Sequence, residues 1–453
     1  MEQMTVREIV EATGGRLLCG DESLPLRHIC INSKEIRGGE LFVPLVGEKV
    51  DAHRFIEKAF EAGAAATLTS EHDRMQDGRP WIQVKDTKKA LQDVGAYYRN
   101  RLTLPLVGIT GSVGKTTTRE MTAAALSAKY RVYKTPGNKN SQVGVPITLS
   151  EITGSDEIGV LELGMSLPGE MTVIARIARV DMAVITNVGL THIEQLGSQE
   201  NIYREKLKIQ DGLKEGGVLL LNGDDPMLKN TVAKDGCRTV YYGTGENCEY
   251  RAENIRLEDG CPVFVAAHGE KKVPVKLKIM GLHHVGNAMA ALAAADLFGA
   301  DMEAAAGKLG EFTGFKGRQQ VYHRDGVTVI DDTYNASPVS MKASLEVLAS
   351  MKKAARRIAV LADMKELGPE AKRYHREIGE WLSGQPVELV FTLGELSGEI
   401  EAGKECFHFE EGDLEGLAKA IEDILAPGDC VLLKGSHSME LDRVAERLFA
   451  GRM

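Results

Sequence analysis

Residues 106–126 read LVGITGSVGKTTTREMTAAAL, and this stretch decides the fold. A short apolar run ends in glycine, a Lys-Thr-Thr follows, and a helical pattern opens at once. A loop that cradles phosphate needs this combination. Glycines let backbone N–H groups converge on oxygens, a helix N-terminus favours negative charge, a lysine reaches the β- and γ-phosphates, and a hydroxyl holds Mg²⁺. Gly111, Ser112, Val113, Gly114, Lys115, Thr116 and Thr117 supply all four features. The generic phosphate-loop pattern has glycine at position 109. Here that residue is Ile109, and the glycines stand at 108, 111 and 114. A glycine-rich turn without a nucleotide would leave the agreement of strand, loop, lysine and helix unexplained.

Working outward, PLVGITG, EIGVLELG, MAVITNVG and GVLLLNGDD are apolar runs that end in small or polar residues, with helical stretches between them. That alternation predicts a buried parallel sheet. Ligands of such sheets sit beyond the carboxyl ends of the strands. Glu162 and His192 are read as the ends of two central strands, where a carboxylate and an imidazole could form part of a Mg²⁺ shell. Residues 239–280 read as β-rich, NAMAALAAADLFG as an alanine-rich helix, and EFTGFKGR (311–318) as a hinge. The alternation then restarts with GVTVIDD, RRIAVLAD, ELVFTLG and DCVLLKG. Upstream, residues 5–13 have helical spacing that Gly14-Gly15 stops. Short strands and the helix HRFIEKAFEAGA follow, and DTKKALQDVGAYYRNR runs as a helix into Leu104-Pro105. Three α/β domains are expected, at 1–100, 101–313 and 314–453.

The chain length of 453 residues fits that number at roughly 150 residues per domain. With 55 Lys+Arg against 65 Asp+Glu the net charge is -10, which argues against a nucleic-acid partner. The seven cysteines show no C-x-x-C spacing and fit reduced thiols. The N-terminus lacks the apolar core of a signal peptide, and no stretch approaches the roughly 20 apolar residues of a membrane span. A soluble cytoplasmic protein without membrane insertion is expected.

Beyond the loop, TPGNKNSQVGVP (135–146), LELGMSLPGE (161–170), TNVGLTHIEQLGS (186–198), GLHHVGNAMAA (281–291), DDTYNASPVSM (331–341), LADMKELG (361–368) and KGSHSME (434–440) follow in order. On these segments the chain resembles the Mur ligases from end to end. It is most similar to the branch that joins D-alanyl-D-alanine to a UDP-N-acetylmuramoyl tripeptide in peptidoglycan synthesis. The resemblance implies a small N-terminal α/β domain for the UDP-linked substrate, a central phosphate-loop ATPase-like domain, and a Rossmann-like third domain for the dipeptide. It implies ATP and Mg²⁺ as cofactors, an acyl-phosphate intermediate and a monomeric enzyme.

By the same resemblance Thr116, Glu162 and His192 hold Mg²⁺ together with a carbamylated Lys206. Asn287 and Arg318 contact adenine and ribose-phosphate, and Asp332 faces ATP. Ser33 and Lys34 belong to the uridine-nucleotide pocket. Asn138, Asn140, Tyr334, Asn335 and Ser337 meet the other substrates. The chain departs from the family pattern at Asn32 and Lys34, at Lys208, where a glutamate is usual, and at His284, where an asparagine is usual.

Local reasoning gives blander readings for some of these residues. Lys206 reads as a solvated helical lysine paired with a nearby glutamate. Asp331-Asp332-Thr333 reads as a strand-end turn with a helix cap, and His284 as a capping or packing residue. A sister ligase adding a diamino acid would carry an Asp-Asn-Pro-Arg motif that this chain lacks. A nucleotide-binding switch would leave Glu162, His192 and the Asp-Asp-Thr cluster without a role.

Overall fold

The computed structural model describes residues 1–2, 4–75 and 77–450. Among the described residues three large sheets succeed one another along the chain, beside a two-stranded ribbon of Met4–Thr5 with Pro25–Leu26, and the architecture is α/β in three domains. The first sheet has five strands in the order Arg16–Cys19, Trp81–Gln83, Ala66–Thr69, Leu41–Phe42, Ile29–Cys30. The opening helix Val6–Thr13 starts at Thr5, whose side chain and that of Glu8 cap each other's backbone N–H groups, and it stops at Gly14 in a left-handed conformation. The predicted helix before Leu104-Pro105 spans Thr87–Arg101, capped by Asp86.

The second sheet is nine-stranded. Its parallel centre runs Val132–Lys134, Ile158–Glu162, Leu106–Thr110, Met182–Ile185, Val218–Asn222, Arg238–Gly243. Tyr250–Glu258 extends it, and the antiparallel strands Cys261–His268 and Lys271–Lys276 complete the β-rich stretch expected at 239–280. The central strands are apolar at nearly every position because both faces are covered. Val107, Ile109, Val160 and Val184 pack towards the helices Lys115–Leu126 and His284–Leu297. Leu106, Leu161, Ala183 and Ile185 pack towards Met171, Ile174 and Ile202. Alternate residues of a strand face opposite sides, so one apolar run builds two cores.

The alanines of His284–Leu297 let that helix approach Lys115–Leu126 closely, which holds the helix behind the phosphate loop against the sheet. The hinge read at 311–318 is an irregular connection after Met302–Glu311, with Gly314 and Gly317 at φ 101° and 70°. A six-stranded sheet follows in the order Gln320–Arg324, Val327–Asp332, Cys430–Lys434, Arg357–Ala362, Leu389–Leu393, Glu405–Phe409. Only the first pair is antiparallel. The carboxyl ends of Val327–Asp332 and Cys430–Lys434 meet the carboxyl ends of the central strands across a cleft.

Candidate active site

The phosphate loop forms the floor of that cleft. Two of its glycines are obligatory on steric grounds. A Cβ on Gly111 would stand 1.9 Å from Thr186 Oγ1, and one on Gly114, whose φ is 82°, would stand 3.0 Å from Asn287 Oδ1. Asn187 clamps the loop, since its Oδ1 accepts the Val113 N–H and its Nδ2 donates to the Val113 carbonyl, both at 2.9 Å. Lys115 is half-buried and folds back to donate to the Gly111 carbonyl at 2.8 Å. Desolvation pushes its ammonium below the usual range, while Glu162 pulls the other way.

Glu162 ends its strand and is 3% exposed. Its carboxylate accepts from Thr116 Oγ1 at 2.9 Å, Asn140 Nδ2 at 2.8 Å and Arg119 Nη1 at 3.2 Å. The structure therefore brings Thr116, Glu162 and Asn140 together. Asn138, two residues away, is exposed and outside the cleft lining. Arg119 was not singled out from the sequence. Its guanidinium is fully buried and also pairs with Glu120 at 2.6 Å and the Gly137 carbonyl at 2.8 Å. Nothing in KTTTRE distinguishes it from a surface arginine of a helix.

His192 does not end a strand as expected. Met182–Ile185 stops earlier, and His192 begins the single-turn helix Ile193–Leu196 in a left-handed backbone conformation, φ 66°. Its side chain still reaches the cleft. Glu366, from LADMKELG in the third domain, brings Oε2 to 2.7 Å from His192 Nδ1. This contact pairs the imidazole with the carboxylate across the two domains. It holds the Glu366 carboxyl below its usual range.

Lys206 is not the solvated lysine that local reasoning expects. It is 2% exposed in the helix Gln199–Leu207, behind the cleft lining. The neighbouring Glu205 is taken by Lys208 at 2.7 Å. Desolvation, aided by Lys115, drives the Lys206 ammonium well below its usual value. Burial of this kind favours the neutral amine over the ammonium.

Arg318 and Tyr334 face the cleft as a stacked pair, with the guanidinium 4.0 Å from the ring centroid and Arg318 Nε buried without a partner. Asp332 Oδ2 accepts from Lys434 Nζ and Ser344 Oγ, each at 2.5 Å. Asp331 and Thr333 make the strand-end turn that local reasoning foresaw, with Thr333 N and Oγ1 donating to Asp331 Oδ1. Asn335 lies in the cleft and its Oδ1 accepts the Ala336 N–H. Ser337 lies in the cleft too, but its hydroxyl caps the helix Pro338–Ala349 in a mutual arrangement with Ser340.

Ser33 and Lys34 sit in a short 3₁₀ turn capped by Asn32, away from the cleft lining. His284 caps nothing. It is buried between Asn287 and Gln319, while His283 holds the N-cap position without a side-chain cap. Asp51, His53 and Glu71 in the first domain also cluster closely. Both nitrogens of His53 are engaged there, by Asp51 Oδ1 and by the Ser70 N–H.

The cleft encloses about 470 Å³ between Lys115, Glu162, Asn140 and His192 on one wall and Arg318, Asp332, Tyr334 and Lys434 on the other. Beside it lies a pocket of about 370 Å³ walled by Tyr242, Ile255, Leu282 and Val285, with Asn222, Asp224 and Thr244 as polar groups. Asn287 borders both spaces. Among the described residues no helix is long and apolar enough to cross a membrane.

Comparison with known proteins agrees with this layout. The Mur ligase middle domain matches residues 109–295, the Mur ligase glutamate ligase domain residues 317–437, and the Mur ligase family catalytic domain residues 25–99. The UDP-N-acetylmuramoyl-tripeptide--D-alanyl-D-alanine ligase of Bacillus subtilis is 37% identical over 99% of each chain. That of Escherichia coli is 31% identical, again over 99% of each. Among solved structures, MurF from Acinetobacter baumannii superposes with a TM-score of 0.89 at 28% identity, covering 98% of both chains. MurF ligase from Thermotoga maritima in complex with ADP gives 0.83 at 30% identity, covering 94% of this chain and 98% of the other.

Proposed function

The chain belongs to the Mur ligase family, and from that premise we propose that it joins D-alanyl-D-alanine to the UDP-N-acetylmuramoyl tripeptide, consuming ATP. One observation carries the chemistry. Lys115, Thr116 and Glu162 converge at the floor of a cleft whose opposite wall, on another domain, presents Arg318, Asp332 and Lys434. A phosphoryl donor on one wall and an amine on the other are brought to the same carboxyl group when the walls approach, and water is excluded.

In the reaction the tripeptide carboxylate attacks the γ-phosphorus, and ADP leaves from the acyl phosphate. The dipeptide amine then attacks the acyl carbon, and phosphate leaves. Lys115, released from the Gly111 carbonyl, would offset charge on the transferring group. Thr116 and Glu162 offer hard oxygen ligands at the floor, which suit Mg²⁺, and His192 lies within the same cleft. Bound there, Mg²⁺ would supply Lewis-acid neutralisation of phosphate oxygens. The neutral amine is the form that adds to CO₂, releasing a proton and leaving a carbamate, and burial of Lys206 favours that form, which is why it supports the carbamylation reading.

The pocket beside the phosphate loop, with Tyr242 and apolar walls, suits a nucleotide base, and Asn287 stands at its mouth. Tyr334 and Asn335 are assigned to the dipeptide and Asn140 to the tripeptide end. Ser33 and Lys34 are assigned to the UDP moiety, and Asn138, on the central-domain loop between Val132–Lys134 and Gly144–Glu151, to a substrate contact. Residues 1–100, 101–313 and 314–453 are taken as the three binding units of a monomer. Seven free thiols fit a reducing cytoplasm.

The test is phosphate release with ATP, Mg²⁺ and defined substrates. Release should require both the muramoyl tripeptide and D-alanyl-D-alanine. Productive turnover with the muramoyl dipeptide and a free diamino acid instead would overturn the reading.

A further inference from the structure

Along the wall of the cleft, side chains of the central and third domains form one hydrogen-bonded chain. Thr118 Oγ1 donates to Asn287 Oδ1 at 3.1 Å, and Asn287 Nδ2 donates to His284 Nδ1 at 3.2 Å. His284 Nε2 donates to Gln319 Oε1 at 3.1 Å, Gln319 Nε2 to Ser344 Oγ at 3.3 Å, and Ser344 Oγ to Asp332 Oδ2 at 2.5 Å. Every donor points the same way. The direction has a cause, because Asp332 is a carboxylate held by Lys434 and can only accept. Its acceptor end orients Ser344, which orients the Gln319 amide, which selects the His284 tautomer, which turns the Asn287 amide. Thr118, His284, Gln319 and Ser344 are all buried, so water competes little for their hydrogen bonds. Burial also keeps the His284 ring neutral, with one donor and one acceptor nitrogen.

We propose that His284 is a positioning residue for nucleotide-base selection, locking the Asn287 amide in one orientation that is set from the third domain. The proposal rests on the reading of the 370 Å³ pocket as the base site. Thr118 and His284 use one lone pair of Asn287 Oδ1 and one N–H of Nδ2. One acceptor site and one donor site remain for a base, in a fixed order. Adenine presents an amino donor beside a ring-nitrogen acceptor on its six-membered edge. Hypoxanthine presents the same two positions reversed, a carbonyl acceptor beside a ring N–H. A locked amide distinguishes the two, whereas a free one turns over and accepts either.

Equilibrium binding of ADP and IDP, each with Mg²⁺, to the full chain tests this by calorimetry, without turnover. The unaltered chain should prefer ADP. His284→Phe keeps the shape and removes both hydrogen bonds, and the ADP:IDP preference should fall about tenfold, the value of one paired base contact. Ser344→Ala breaks the chain far from the pocket with little loss of packing, and should lower the preference in the same direction. It decides the matter if His284→Phe does not fold. Asn287→Ala should abolish the preference. An unchanged ratio in His284→Phe or Ser344→Ala, with loss in Asn287→Ala, would overturn the relay and leave the base site standing. An unchanged ratio in Asn287→Ala, or equal binding of ADP and IDP by the unaltered chain, would overturn the base-site reading and the proposal with it.

Discussion

Replacing Arg119 by Met tests the buried charge network under the phosphate loop. Arg119 is 1% exposed. It bridges Glu120, itself 6% exposed, and Glu162, while donating to the Gly137 carbonyl. Methionine fills much of the volume but removes the cation. Glu120 keeps Lys134, and Glu162 keeps Thr116 and Asn140, so neither carboxylate is abandoned. Removing one partner of a buried ion pair costs about 3–5 kcal/mol. The remaining partners place the expected loss near the lower end, about 3 kcal/mol. At roughly 2–4 °C per kcal/mol for a domain of this size, Tm should fall by about 6–12 °C. Differential scanning fluorimetry reads this directly. Adding Glu120→Gln should recover part of the loss, because it removes a buried carboxylate left with Lys134 as its one remaining cation. A Tm within about 2 °C of the unaltered protein would show that the guanidinium is not compensating buried charge, and the account of how Glu162 is held would fail.

Three shorter predictions follow from the same geometry. Lys115→Ala should abolish phosphate release while near-normal Tm persists, since the side chain bonds only its own loop at rest; activity within about threefold of normal would refute its role. Lys206→Ala should cripple turnover, with partial rescue by acetate; near-normal activity in CO₂-free buffer would exclude a carbamate. Asp331→Asn should raise Tm at pH 7–8, because burial lifts the Asp331 carboxyl above its usual pKa and its ionised form costs stability. As the pH falls through the raised value, the native protein takes up the proton first. The advantage should therefore shrink and vanish near the ordinary carboxylate pKa of about 3.9, and a gain that grows on acidification would contradict this.

Several site residues were legible because their signals are local. Gly111 and Gly114 follow from the close approach of a backbone to phosphate, and Glu162 from its place at the end of an apolar run. The resemblance places Ser337 at the substrate, but Ser-Pro before a helical run is also a cap signal, and its hydroxyl is engaged as that cap. Glu366 lies within LADMKELG, but nothing local gives it a role, because its partner His192 lies on another domain. Gln319 and Ser344 carry no pattern at all.

What the sequence determined by itself is the order of strands and helices and the phosphate loop, since periodicity, glycine placement and helix starts act over a few residues. It also determined the α/β class, because apolar runs alternating with helices leave a covered parallel sheet as the way to bury both strand faces. Only the tertiary structure decided that Lys206 is buried with its ammonium disfavoured, that Arg119 lies under the loop, and that His284 is packed where two domains meet. Burial and pairing of a lone polar group depend on which distant segments close over it, and composition along one segment does not encode that closure.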